Sequence, residues 1–532
     1  MADPHRIEDP RGTSAAIRPA SPGPYAFPTA FARLCPGLTS LAVLLAVQTG
    51  QAVELAFGGF DVRLDTTVRL SLGLRTEDQN PALLQDANSD DGDRAFRPGA
   101  ISERVDFISV LDMTRGDFGA EVSIDGWYDA AYHQADANTS AATFNPLTAF
   151  DKFPADTRRL LGETVELGTA FVRDRFQIGG VPVTLRLGRQ SLLWGESLFF
   201  PEDGLSAGQA PVDGIKALSQ PLVQNQEVFL PVTQAYLRAD LGGGFSLQGY
   251  EQLEWRRDRT PGVASYFSSF DAADVGGQRA FLPGGVSVFR ARDATPDGFD
   301  QFGVALRYAS GKIDLGLYAL RYDSKSGFLQ TASGAYHLVF PRGIETVGMS
   351  VSTYAGDSTL SGEVSVRRHM PLVSQGFSGV SGSVEPPAFG QTLLALASYQ
   401  HVLPTGRLWQ GAALTAELST TELLDLESGG AHRLPGTTRF SSAAQAVFAP
   451  QYFEVLPQLE LTLPVGVRWG LSGRSSVDPA QVARVGNITV GITAAYRAVW
   501  LAGVSFTHFL GPVTQQRLAD RDFLTVSISR TF

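Results

Sequence analysis

Alternation with a period of two is the feature that most narrows what this chain can fold into. From Asp61 to Arg75 the even positions are Val62, Leu64, Thr66, Val68, Leu70, Leu72 and Leu74. The odd positions are Asp61, Arg63, Asp65, Thr67, Arg69, Ser71, Gly73 and Arg75. Successive side chains of a strand point to opposite faces, so this segment has one apolar face and one polar face. The pattern returns along the chain. Val122, Ile124 and Tyr128 oppose Glu121, Ser123 and Asp125; Phe302, Val304 and Leu306 oppose Gln301, Gly303 and Ala305. Near the C-terminus Ile488, Val490 and Ile492 oppose Asn487, Thr489 and Gly491, and Leu524, Val526 and Ile528 oppose Thr525, Ser527 and Ser529. Arg530 is the one exception in the last segment. Repeated segments of about 10 residues with this dyad pattern predict a closed antiparallel transmembrane β-barrel.

The connections alternate as well. Short turns at Gly116-Asp117, Gly179-Gly180, Gly242-Gly243-Gly244, Gly311-Lys312 and Gly356-Asp357 are separated by long polar loops. The loops lie near 76–101, 131–162, 199–230, 259–299, 324–343 and 370–390. Short turns on one side and long loops on the other are the periplasmic and extracellular ends of such a barrel. The rhythm predicts an all-β fold of about 18 strands, with sixteen as the alternative because boundaries between 400 and 480 are blurred by Pro457 and Pro464.

The N-terminus adds a compartment. Arg33, the apolar run through Leu41, Val43, Leu44, Leu45 and Val47, and the small-residue site Gly50-Gln51-Ala52 form a secretory signal. The division expected is 1–52 as leader and signal peptide, cleaved after Ala52, and 53–532 as barrel. The apolar run is shorter than the roughly 20 residues a spanning helix needs. Cys35 is the only cysteine of the 532 residues, so the mature chain has no thiol for disulfides, cysteine-ligated metal or nucleophilic catalysis. A net charge of -11 argues against a nucleic-acid partner.

Candidate functional residues cluster between 183 and 230. Read as one strand, Thr184, Arg186, Gly188, Gln190, Trp194 and Glu196 share the lumen phase, while Val183, Leu185, Leu187 and Leu193 share the lipid phase. Arg189 falls on the lipid phase, above the lipid or beside a bulge. Lumen charges ordinarily cross-link strands or pin a loop; they also create a field that orients a polar headgroup. Arg186 and Glu196 stand too far apart on a straight strand to pair. Arg186 is therefore expected to meet Glu121 or Asp125 on a neighbouring strand, or Asp203 or Asp213 from the following segment. That segment, 199–230, is too apolar for a solvated loop and is expected to fold into the lumen as a hatch.

Enzyme patterns fare poorly. Gly204-Leu205-Ser206-Ala207-Gly208 matches a nucleophile-elbow string but does not sit between a strand and a helix. His401 and His508 lack an evident orienting carboxylate in sequence. The acidic stretch Asp86 to Asp93 departs from an EF-hand, with its glycine one place late and Arg97 where a bidentate Glu is needed. It reads as solvated surface. No metal, cofactor or catalytic set is expected.

The block Leu185-Arg186-Leu187-Gly188-Arg189-Gln190-Ser191-Leu192-Leu193-Trp194-Gly195-Glu196 resembles the central signature of the bacterial family called domain of unknown function 1302. Leu64-Asp65-Thr66-Thr67, Asp90-Asp91-Gly92, Pro211-Val212-Asp213, Gln252-Leu253-Glu254-Trp255 and Asp520-Arg521-Asp522-Phe523 are similar to it too. The resemblance implies an outer-membrane barrel of a Gram-negative bacterium that conducts hydrophobic small molecules or lipids. It also implies a periplasmic partner and an inner-membrane exporter. Outer-membrane lipid, lipopolysaccharide and the barrel-assembly machinery are further expected partners, the last through the terminal Phe532. A porin for hydrophilic solutes is the alternative; an outer-membrane lipase is a third and weaker one. Arg186, Gln190, Trp194, Glu196 and Asp213 are the residues expected to line the lumen and meet cargo or hatch.

Overall fold

In the computed structural model, residues 53–532 are described, apart from 223, 283, 333 and 376–386. The leader, its cleavage site and Cys35 lie outside the described residues.

Eighteen antiparallel wall strands close into a barrel. They begin with β1 (Phe60–Arg75), β2 (Gly99–Arg115), β3 (Phe118–Asp129), β4 (Glu163–Ile178), β5 (Val181–Gln190) and β6 (Val232–Gly242). The wall continues through β7 (Phe245–Gln252), β8 (Gln301–Ser310), β9 (Ile313–Tyr322), β10 (Ile344–Ala355), β11 (Ser358–Pro371) and β12 (Phe389–Leu403). Next come β13 (Gly411–Ser428), β14 (Phe440–Leu456) and β15, which is split into Leu459–Thr462 and Val465–Ser472. β16 (Gly486–Tyr496), β17 (Trp500–Leu510) and β18 (Phe523–Thr531) complete the circuit. Both pieces of β15 pair with β14 and β16. The split falls at Leu463-Pro464, where proline supplies no N–H to the ladder. The seam closes by pairing β18 with β1 from Thr67↔Thr531 to Arg75↔Phe523. Below it a short leading strand, Val53–Phe57, folds back on the foot of β1.

The alternation read from sequence sets the two faces. Val304, Leu317, Val347 and Ile492 project outward and stay exposed, whereas Gln301, Ala305, Ser350 and Thr489 point in and are buried. An apolar exterior over a polar interior is what a bilayer requires of a spanning barrel. Arg530, outward on β18, is covered by the rings of Trp500 and Phe532 at 5.1 and 4.5 Å, which shields its charge at the interface. All five expected short turns are present at one end. Three connections at the other end (429–439, 473–485 and 511–522) add to the long loops expected there.

Those long loops are not separate. Segments 76–98, 130–162, 253–300 and 511–522 share a core in which Phe96, Tyr132, Phe144, Phe153, Tyr266 and Phe523 are buried. Full burial of each such ring contributes about 1.5–3 kcal/mol, enough to hold the loops as a cap. A four-stranded sheet made of Arg279–Leu282, Val286–Arg290, Phe328–Ala332 and Ala335–Val339 extends it. The acidic stretch expected to be solvated surface is split: Asp86 is exposed, whereas Asp90, Asp91 and Asp93 are fully buried inside this cap. The polar sequence gave no sign of the aromatic partners that other loops bring.

Candidate functional site: the inward loop and the arginine-lined cavity

β5 stops at Gln190, so the single strand expected to run on to Glu196 does not exist. Gln190 and Gln234 close the ladder by donating to each other's backbone carbonyls, at 3.3 and 2.8 Å. The chain then leaves the wall and turns inward over residues 191–231, starting eight residues earlier than the expected hatch. The Trp194 N–H donates to Gln209 Oε1 at 2.5 Å, tying the loop's two arms together. Gly195 has φ +91, and a Cβ there would overlap the Glu363 carboxylate, so glycine permits the close approach.

The opposite wall holds this loop mainly by its backbone. Glu363 on β11 accepts from the N–H groups of Glu196 (2.5 Å) and Leu205 (2.8 Å). Glu417 on β13 accepts from Leu198 (2.8 Å) and Phe199 (2.5 Å). Arg367, 1% exposed, donates to the carbonyls of Glu202 and Gly204, both at 2.8 Å. Asp203 accepts from the Ser419 hydroxyl, and Gln445 on β14 donates to Pro221 O at 3.0 Å. Phe199 and Phe200 pack on Leu396 and Ala443. The loop thus reaches from β5 to the lumen faces of β11 through β14.

Each residue singled out from sequence has a definite place. Trp194 is buried in the lumen against Tyr250 (5.1 Å) and Tyr318 (5.6 Å), and its Nε1 donates to Gln248 at 3.1 Å. Glu196 lies on the same loop; burial raises its pKa, and the facing Arg307 opposes that rise. Arg186 points inward from β5 and rests on the Phe171 ring at 4.6 Å. Among the described residues no carboxylate pairs with it, contrary to the partners expected. Asp213 is occupied elsewhere: it caps the short helix Gly214–Ser219 by accepting from Lys216 N–H, and it accepts from Arg259 at 2.8 Å. Asp203 is taken by Ser419. Arg189, on the lipid phase, pairs with Glu254 at 3.1 Å, and the ladder beside it shows no bulge.

Beside the loop lie two adjoining cavities of about 290 and 360 Å³ that share Leu160, Arg259 and Val275. The larger joins Leu160, Leu230, Trp255 and Val275 to Arg256, Arg257 and Arg259. Arg259 is spoken for by Glu166 (2.5 Å) and Asp213. Arg256 is not: it donates to Pro231 O at 2.9 Å, and its nearest carboxylate, Glu166, is 4.0 Å away. Burial lowers the pKa of Arg256 and of Arg257. Lys325, whose carbonyl accepts from the Asp258 N–H, donates to Gly208 O at 3.2 Å, and burial pulls its pKa down to about 8. The arginine run Arg256-Arg257-Asp258-Arg259 was visible in sequence as a charge cluster inside a long loop. Glu363 and Glu417 were visible as lone acids among small lumen-phase residues. The first signal does not say that Glu166, 93 residues away, faces Arg259, nor the second that a loop more than 150 residues away supplies the partner.

The enzyme candidates separate. Ser206 is buried in the turn Leu205–Gly208, and neither candidate histidine bonds to it. His401 accepts or donates with Ser358 at 2.9 Å on the outer face, with Tyr399 stacked beside it and no orienting carboxylate among the described residues. His508 bonds to Asp522, with no serine in the pair.

Fold and interior together define a class, a transmembrane β-barrel of outer-membrane type with its lumen crossed by an inward loop. The chain belongs to the family described as Protein of unknown function (DUF1302), whose model matches residues 34–532. No curated protein matches the chain in sequence. Among solved structures, Acinetobacter baumannii OccAB1 is similar at 13% identity and a TM-score of 0.45, over 88% of this chain and 96% of that one. Pseudomonas aeruginosa OccD3 (OpdP) is similar at 11% and 0.41, over 91% and 92%. A BenF-like porin from Pseudomonas fluorescens is similar at 11% and 0.41, over 88% and 98%.

Proposed function

We propose that the protein is an outer-membrane channel of a Gram-negative bacterium that conducts hydrophobic small molecules or lipids, handing them to or from a periplasmic partner and an inner-membrane exporter. One observation carries this reading: the loop across the lumen buries Trp194, Phe199, Phe200 and Leu205 and is anchored on both sides. A diffusion pore needs a hydrated constriction; buried rings and main chain reaching across the lumen favour a plugged conduit instead. The adjoining cavity supports the same reading. Its apolar side (Leu160, Leu230, Trp255, Val275) suits a hydrocarbon or aromatic body, and Arg256 beside it suits an acidic head.

A second reading, a porin for hydrophilic solutes, is favoured by the opposite wall. Ser350, Ser352, Ser361, Ser419, Thr421 and Thr489 face the lumen there and would suit a water-filled path. Single-channel recording separates the two. The intact protein is expected to be electrically quiet and a variant lacking 199–230 to conduct steadily. Large, steady conductance by the intact protein would establish the porin instead.

A further inference from the structure

The cap treats its buried acids in two ways. Asp93 and Asp520 straddle the Arg75 guanidinium at 2.7 and 3.3 Å, and Arg521 stands 4.0 Å from Asp93. Each of these negative charges faces a positive one. Two positions away the pattern fails. Asp91 and Asp271 are both fully buried, yet among the described residues no Arg, Lys or His nitrogen lies within 4.0 Å of either carboxylate. Asp90 joins them, with one oxygen of each of the three acids within 4.8 Å of the others. Among the described residues Arg94 is the one cation in contact, at 2.5 Å from Asp90 Oδ2. An uncompensated buried carboxylate costs several kcal/mol, so three acids against one arginine call for a further positive charge or for bound protons.

The oxygen atoms around this point are also short of donors. Asp90 Oδ1 and Asp91 Oδ1 are buried with no hydrogen-bond partner. A neutral side chain repeats the observation independently. Asn145, fully buried, donates from Nδ2 to Asn88 Oδ1 and Arg279 O, and its backbone N–H donates to Asp91 Oδ2 at 2.9 Å. Its Oδ1 is left without a donor. On the far side, the single hydroxyl hydrogen of Ser268 faces both Asp271 Oδ1 and Asp274 Oδ2, each at 2.7 Å. It satisfies only one of them at a time.

We propose that Asp90, Asp91 and Asp271 bind a calcium ion, with the Asn145 side-chain oxygen as a further ligand. The donor set is all oxygen, which selects a hard cation. A buried cage built from protein oxygens suits calcium, whereas magnesium keeps several waters and demands a strict octahedron. The ligands come from three loops, 76–98, 130–162 and 253–300. The ion therefore staples the cap together from pieces far apart in sequence. The site is not the contiguous loop that the sequence suggested and then excluded. Two of its acids sit in that stretch, and the third comes from Asp271.

Calorimetric titration of the purified, folded protein with calcium chloride, after removal of divalent ions by a chelator, tests this. Saturable binding of about one ion per chain is expected, with magnesium chloride giving none over the same range. Asp91→Asn and Asp271→Asn should each weaken binding by about a hundredfold, while Asp86→Asn, outside the cluster, leaves it unchanged. Calcium should also protect the 76–98 loop from trypsin in the wild-type protein, a readout that stands if either variant fails to fold. No saturable calcium heat, or undiminished binding by both variants, overturns the proposal. So does protection gained by acidification alone without any response to calcium, because the acids then share protons instead.

Discussion

At the scale of single residues, the grip on the inward loop rests on two lumen carboxylates. Glu417 accepts two main-chain N–H groups of the loop, and Glu363 accepts two more. Hydrogen bonds to charged groups contribute about 1.5–3 kcal/mol each. Truncating Glu417 also leaves the Leu198 and Phe199 N–H groups without acceptors. Glu417→Ala is expected to release the loop and raise single-channel conductance, while the band that shifts on heating still shows a folded barrel. Arg186→Ala is the matched control: it removes a cation–aromatic contact worth about 0.5–2 kcal/mol and should leave conductance unchanged. Equal conductance in Glu417→Ala and wild type would show that the carboxylate does not hold the loop. Sequence alone puts Arg186 among the lumen-phase residues. Its phase was legible, but its partner was a ring on β4 and not an acid.

At the scale of the element, the loop carries its own pH dependence. Burial, then repulsion from Asp478, pushes the Asp203 carboxyl up from 3.8 to about 6; Ser419, Arg367 and Arg468 act against the rise. A carboxyl with a raised folded-state pKa contributes stability that is full below its unfolded value and is lost as pH rises through the folded one. Docking of the loop should therefore be tighter at about pH 5 than at about pH 7.5. Tryptic cleavage within 199–230 should be slower at the lower value after correction for the protease's own pH profile; faster cleavage there would contradict the assignment. This element also marks where sequence reading stopped. The apolar residues of 199–230 announced that it must pack on something. Its start was misplaced because Leu185 through Glu196 keep strand alternation, while the actual break is made by contacts of Gln190, Gln209 and Glu363 that no local pattern encodes. The same holds for Asp90 and Asp91, whose burial depends on rings from two other loops and from β17 and β18.

At the scale of the whole molecule, the wall was the legible part. Period-two alternation reports which face meets lipid, and Gly-containing turns report where the chain reverses, because both are local consequences of backbone geometry. Strand number came out right although β15 is broken at Pro464, since both halves keep one register path between β14 and β16. What sits inside the wall and above it is non-local, and only its apolar excess could be read. Fractionation should place the protein in the outer membrane, and sequencing of its mature N-terminus should begin at Val53. Recovery of a soluble periplasmic form would refute the barrel as a membrane protein.

Because Glu363 and Glu417 hold main-chain N–H groups, this part of the docking depends on the path of the loop and not on its side chains. The grip on the loop and the lining of the cavity are thereby carried by different residues: the first by the wall strands β11 and β13, the second mainly by the segment 255–275, with Leu230 the loop's one contribution. Side chains facing the cavity, such as Leu230, can be exchanged without loosening the grip, and the grip can be weakened without altering what the cavity accepts. For an engineer the two properties are separate dials, and the lid is an interchangeable part.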